Sequence, residues 1–104
     1  MIAILKTHIF NWLIWPDFNQ IPNTTHPFLV YNPISVGDAV RVSHKTITAL
    51  PANHVVPAVG YQVDSGASSL VFTGDTAGGS NFWQAVSTIN HLKYLIIEIG
   101  RAHV

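Results

Sequence analysis

A chain of 104 residues with 48% apolar and 10% charged side chains has room for one small core, and its charged fraction lies far below the ~25% usual for soluble domains. Formal net charge is zero, and Lys6, Arg41, Lys45, Lys93 and Arg101 are scattered singly, which excludes the electrostatic footprint of a duplex nucleic-acid binder. The absence of cysteine excludes disulfides, thiolate metal ligands and thiol nucleophiles.

In chain order, Ile2, Leu5, Ile9 and Leu13 recur at helical spacing and predict a helix over residues 1–14, packing that stripe on a sheet and ended by Pro16. Lys6, His8 and Asn11 break the apolar run well short of bilayer length. The stretch also lacks the early basic residues and small-residue cleavage site of a secretion signal. Its polar face carries a single Lys rather than the basic band of an interfacial helix. The expectation is therefore no membrane partner and a cytoplasmic location. Trp12 and Trp15 are read as core or lid packing rather than as stacking platforms.

Residues 19–27 are polar and Pro-bearing, hence a loop; residues 28–31 and 39–42 read as short strands joined through Pro33 and Val36-Gly37-Asp38. Residues 46–50 alternate with β-branched side chains and form the next strand, which delivers the chain to His54. His26 and His44 fall in loops or turns and are expected to face solvent. The apolar text of residues 50–61 and 70–76, bounded by Pro and Gly, reads as an antiparallel hairpin turning near Gly66. That register pairs Pro57 with Asp75 and leaves His54 just beyond, so an imidazole and a carboxylate reach one sheet edge.

Ala77-Gly78-Gly79-Ser80 follows as a flexible reversal rather than a phosphate cradle, and Asn81 and Gln84 have capping-box spacing at the start of a helix over residues 81–89. His91 is expected to cap the last carbonyls of that helix. Residues 92–97 are near-continuously apolar, the pattern of a strand buried on both faces. No internal repeat is present, and residues 1–104 are assigned to a single domain.

His54 and Asp75 are ligand types that suit zinc, manganese or iron. By residue type alone, a loop-capping His and a turn Asp satisfying nearby amides is the commoner reading. The stretch from Leu50 to Glu98 resembles the metallo-β-lactamase superfamily. Within it, the chain is most similar to class II cyclic-nucleotide phosphodiesterases. The likeness rests on a His ahead of Gly60-Tyr61, on Thr73-Gly74-Asp75-Thr76 ending an apolar strand, on Phe82-Trp83 in a helix, and on Leu92-Lys93-Tyr94-Leu95-Ile96-Ile97-Glu98 as a strand. The first half is similar only loosely, at Ile9-Phe10-Asn11 and Trp15-Pro16-Asp17.

The resemblance implies an α+β fold, part of an αββα sandwich, with one mostly antiparallel sheet and two helices. It implies a hydrolase with two zinc ions, or manganese or iron, that converts the small-molecule cyclic nucleotide cAMP to 5′-AMP. His54 and Asp75 are the implied metal ligands, with Asp75 bridging, and Asp75 and Thr76 are the implied catalytic residues, Thr76 as an orienting group. In such a centre the cations lower the pKa of a shared water and polarise the phosphoryl oxygen it attacks.

The departures from the pattern are equally specific. None of the six histidines forms a His-x-His pair, and no last His ligand can be placed. The chain is therefore expected to be a partial domain, inactive alone, whose missing N-terminal half supplies the first ligands and a partner sheet. Arylsulfatase-like or tRNA 3′-processing members of the same superfamily, and a non-catalytic β-rich interaction module, remain as alternatives. The ending Glu98-Ile99-Gly100-Arg101-Ala102-His103-Val104 back-translates into text resembling a short-read sequencing adapter, so residues 99–104 are expected to be a non-native tail and His103 no ligand.

Overall fold

The computed structural model describes residues 1–77 and 79–98; the tail 99–104 and its His103 lie outside them. The chain, read from sequence as one partial domain, divides into two compact units, Met1–Pro33 and Ile34–Val104.

In the first unit, helix α1 spans only Ile2–His8. Side chains competing for its backbone explain the early stop. Thr7 Oγ1 donates to the Ala3 carbonyl at 2.8 Å, and Asn11 Nδ2 takes the Thr7 carbonyl at 2.7 Å, the acceptor a continuing helix would use for the Asn11 amide. Trp12 then adopts φ 73°, a left-handed conformation that ends the helical path. Residues 28–31 form no strand; Phe28 and Leu29 each donate one backbone bond, to Ile21 and Phe18. None of the described residues of this unit is buried, and Trp12 and Trp15 are 60% and 54% exposed, so neither packs in a core.

The second unit is a five-stranded sheet in sequence order: β1 (Ala39–Val42), β2 (Lys45–Pro51), β3 (Val59–Asp64), β4 (Ser69–Phe72) and β5 (Leu92–Ile96). The first three pairings are antiparallel, and β4 with β5 is parallel, joined by helix α2 (Ser80–Ser87). A mixed sheet with two helices makes the fold α+β. The β3–β4 register is one residue away from the sequence reading, with Tyr61 opposite Phe72 and Asp64 opposite Ser69. A four-residue turn over residues 65–68 is the cause. Ser65 N–H donates to the Ser68 carbonyl at 3.0 Å, and Asp64 Oδ1 accepts from Gly66 N–H at 2.8 Å. Since β3 begins at Val59, Pro57 has no ladder partner in Asp75, and His54 lies in the β2–β3 connection.

One face of the sheet carries the core. Phe82 and Val86 of α2 pack on Leu50 and Val71, with Ala85, Ile89 and Leu92 at the margin. Burying a Phe and three branched aliphatics is the main apolar gain this unit has. The helix begins at Gly79 with no side-chain cap bond, so the Asn81/Gln84 capping box does not form. Strand β5 is expected from sequence to be buried on both faces, yet it is an edge strand with Tyr94, Leu95 and Ile96 exposed. On the face away from α2, the register aligns Val40, Ile47, Val63, Leu70 and Tyr94 across all five strands.

His91 does not cap α2. Its Nε2 lies 2.9 Å from Asp64 Oδ1, and its carbonyl accepts from Ser69 N–H at 2.9 Å, which ties the entry of β5 to the β3–β4 turn. The Gly66 amide, and after it the His91 ring, hold the Asp64 carboxyl below its ordinary value of 3.8. A depressed carboxyl contributes stability above its unfolded pKa and loses that contribution as pH falls through its folded value, here below about pH 4. Asp64→Asn is therefore expected to shrink the drop in urea midpoint between about pH 6 and about pH 3 relative to the parent chain. An equal drop in both chains would show that Asp64 carries none of the acid sensitivity.

Candidate functional site

Two loops at the same end of the sheet meet here: residues 52–58, which leave β2, and residues 73–77, which leave β4. Backbone lacing fixes them. Asn53 N–H donates to Thr76 Oγ1 at 2.9 Å, and Ala77 N–H donates to the Asn53 carbonyl at 2.7 Å. Thr73 anchors the base of the second loop. Its N–H donates to the Ile96 carbonyl at 3.0 Å, its hydroxyl donates to the Gly74 carbonyl at 3.0 Å, and its Oγ1 accepts from Glu98 N–H at 3.1 Å. Gly74 follows at φ 60°, and a Cβ there would sit 2.8 Å from the Val59 carbonyl oxygen, so only glycine lets β4 turn outward against the start of β3.

Held in this way, His54 and Asp75 meet, as the sequence predicts. His54 Nε2 is 2.8 Å from Asp75 Oδ2; the imidazole is 9% exposed and the carboxylate 44%. On the other side of the ring, Val56 N–H points at Nδ1 from 3.4 Å. Nδ1 is then the acceptor, and a neutral ring carries its proton on Nε2, at ion-pair distance from Asp75. Thr76 is buried, and its hydroxyl oxygen serves the Asn53 amide, which makes it a brace for the loop carrying His54. Asn53, Gly79, Ser80 and Phe82 help line a cleft of about 320 Å³, whose lining includes neither His54 nor Asp75.

The donor chemistry of the pair is one neutral nitrogen and one carboxylate oxygen, both suited to a borderline cation. Ligand atoms about 2.0–2.2 Å from one ion in tetrahedral geometry stand roughly 3.3 Å apart, so His54 and Asp75 would have to separate slightly and His54 give up its Nε2 proton. Among the described residues no group of three or more His, Cys, Asp or Glu side chains is placed to hold a metal. Two donors do not make a complete centre, and the residues described do not fit a two-metal group by themselves. His26 and His44 are exposed, as expected from sequence, and His91 is engaged at the opposite end of β3.

Sequence reasoning missed Thr73 and Asn53, which act through backbone bonds; the one available signal was a Thr directly preceding a Gly at a strand end. No family model, curated protein or solved structure matches the chain. Among the described residues, no helix is long and apolar enough to cross a membrane.

Proposed function

We propose that this chain is part of a metal-dependent hydrolase that cleaves the cyclic phosphodiester of 3′,5′-cyclic nucleotides, cAMP to 5′-AMP, with zinc, manganese or iron as the metal. Its contribution to the centre is His54 and Asp75 as ligands, with Asp75 and Thr76 at the catalytic edge and Thr76 bracing the loop. The remaining ligands come from an N-terminal half of the same domain. The observation that carries this reading is the 2.8 Å approach of His54 and Asp75, side chains delivered by two different loops to one edge. The resemblance from Leu50 to Glu98 supplies the substrate class, and arylsulfatase-like or tRNA-processing chemistry on the same fold is the nearest substitute.

The incomplete donor set among the described residues favours a second reading, a non-catalytic β-rich interaction module in which the close His54–Asp75 approach only closes the loops. Two measurements separate them. The 104-residue chain is expected to bind zinc weakly in calorimetry and to leave cAMP uncleaved, because two ligands do not offset the desolvation of a cation. In a protein carrying the complete domain, Asp75→Ala is expected to cut bound metal at least tenfold. Unchanged metal content and unchanged function in that variant would leave the interaction module standing and the hydrolase reading without support.

A further inference from the structure

Strand β5 is joined to the sheet along one edge only. It pairs with β4 alone, in parallel, and Lys93, Tyr94, Leu95 and Ile96 in it are all exposed; Leu92, at its start, is the residue it adds to the core margin. What holds it is concentrated at its two ends. At the entry, Ser69 N–H donates to the His91 carbonyl at 2.9 Å, and His91 Nε2 lies 2.9 Å from Asp64 Oδ1. At the exit, Thr73 N–H donates to the Ile96 carbonyl at 3.0 Å, and Glu98 N–H donates to Thr73 Oγ1 at 3.1 Å. We infer that β5 is a strap: it docks and releases as a unit while β1–β4 and α2 stay folded, and the clasps at its two ends together control whether the loop presenting Asp75 is set. The inference does not depend on His54 or Asp75 binding a metal.

The other strands do not need the strap. Each of β1–β4 pairs with its neighbour in the chain, and the core closes across β2, β4 and α2 through Leu50, Val71, Phe82 and Val86. Releasing β5 leaves those four side chains buried and uncovers little beyond Leu92, because the side chains after it already meet solvent. Its cost is a few backbone bonds and the two clasps, which places it among the low-energy local openings of a fold. The loop over residues 73–77 does need the strap. Without β5, Thr73 loses its Ile96 and Glu98 partners, and the loop keeps only its lacing to Asn53, through Thr76 Oγ1 at 2.9 Å and the Ala77 amide at 2.7 Å. Both clasps act on one docking equilibrium. Weakening either therefore raises amide exchange by the same factor at Ser69 and at Thr73, although these residues stand at opposite ends of β4; a clasp that served its own end alone would not.

Amide hydrogen exchange, followed by NMR on the 104-residue chain at one pH and temperature, tests this. In the parent, the Ser69 and Thr73 amides are expected to share one opening and, relative to their intrinsic rates, to exchange about tenfold or more faster than the slowest amides of the β2–β3 ladder. His91→Ala, at a half-exposed clasp, is expected to speed exchange at the distant Thr73 and Ala77 amides about threefold or more, and His91→Gln, which keeps a donor for Asp64, by less than that. Thr73→Val keeps the side-chain shape and loses the hydroxyl; it is expected to speed exchange at Ser69 about tenfold. The β2–β3 amides are expected to hold their parent rates in all three variants. The substitutions sit at opposite ends of the strap, so either one, folded, decides the matter alone. Ser69 and Thr73 exchanging in step with the β2–β3 ladder would overturn the inference, as would variants whose effects stop at their own end of β5 or spread equally to β2 and β3.

Discussion

Phe82→Ala is expected to leave the sheet unit largely unfolded at room temperature. Phe82 is 1% exposed and is the largest fully buried side chain among the described residues, seated on Leu50 and Val71 next to Val86. A Cβ built on Gly60 would be 3.3 Å from its ring, so β3 passes directly beneath it and leaves no slack for neighbours to fill the space. Truncating such a ring costs about 3–5 kcal/mol, through lost transfer energy and the cavity left behind. Small domains hold only about 5–15 kcal/mol in total, and a core this small sits at the low end of that range. At about 4–8 °C per kcal/mol, the thermal midpoint is expected to fall by roughly 12–40 °C, or the transition to vanish, when followed by circular dichroism. A shift of only a few degrees would mean that the α2 contact is not what holds the sheet together.

The second large effect is expected at Gly74. Placing Ala there adds the strain of a left-handed residue, about 1–2 kcal/mol, to an overlap with the Val59 carbonyl oxygen that backbone movement must relieve, about 1–3 kcal/mol. Gly66→Ala is the matched control. It also has a positive φ, 92°, but nothing lies within 4 Å of the added carbon, so only the strain is felt. Urea titrations are expected to rank Gly74→Ala well below Gly66→Ala. The displaced loop should also separate His54 from Asp75, seen as a shift of the His54 imidazole resonances in the proton spectrum. Equal stabilities for the two variants would show that the close approach to Val59 does not constrain the loop.

What the sequence made legible follows the range of the forces involved. Strand β1 falls where its apolar spacing and the Val36-Gly37-Asp38 turn place it, and β2, α2 and β5 lie within a residue or two of their patterns, because each is written in local periodicity. α1 is overread, since the stripe through Leu13 says nothing of the bonds by which Thr7 and Asn11 claim helix carbonyls. The β3–β4 register slips by one because Asp64, Ser65 and Ser68 choose a four-residue turn that a lone Gly66 does not reveal. The meeting of His54 and Asp75 survives that slip, as the loop entering β3 and the loop leaving β4 lie at the same end of this antiparallel pair. The His91–Asp64 bond was out of reach, since it exists only once the parallel crossover brings the entry of β5 alongside the hairpin turn.

That crossover also orders events during synthesis. β1, β2, β3 and β4 form a meander of neighbours in the chain, available as soon as each strand leaves the ribosome. Thr73 finds its partners in Ile96 and Glu98 only after α2 and β5 have emerged, so the loop that presents Asp75 sets last. A polypeptide stalled before residue 96 therefore carries the strands of the meander but neither the Ile96 nor the Glu98 partner of Thr73, so its Asp75 loop is unfastened.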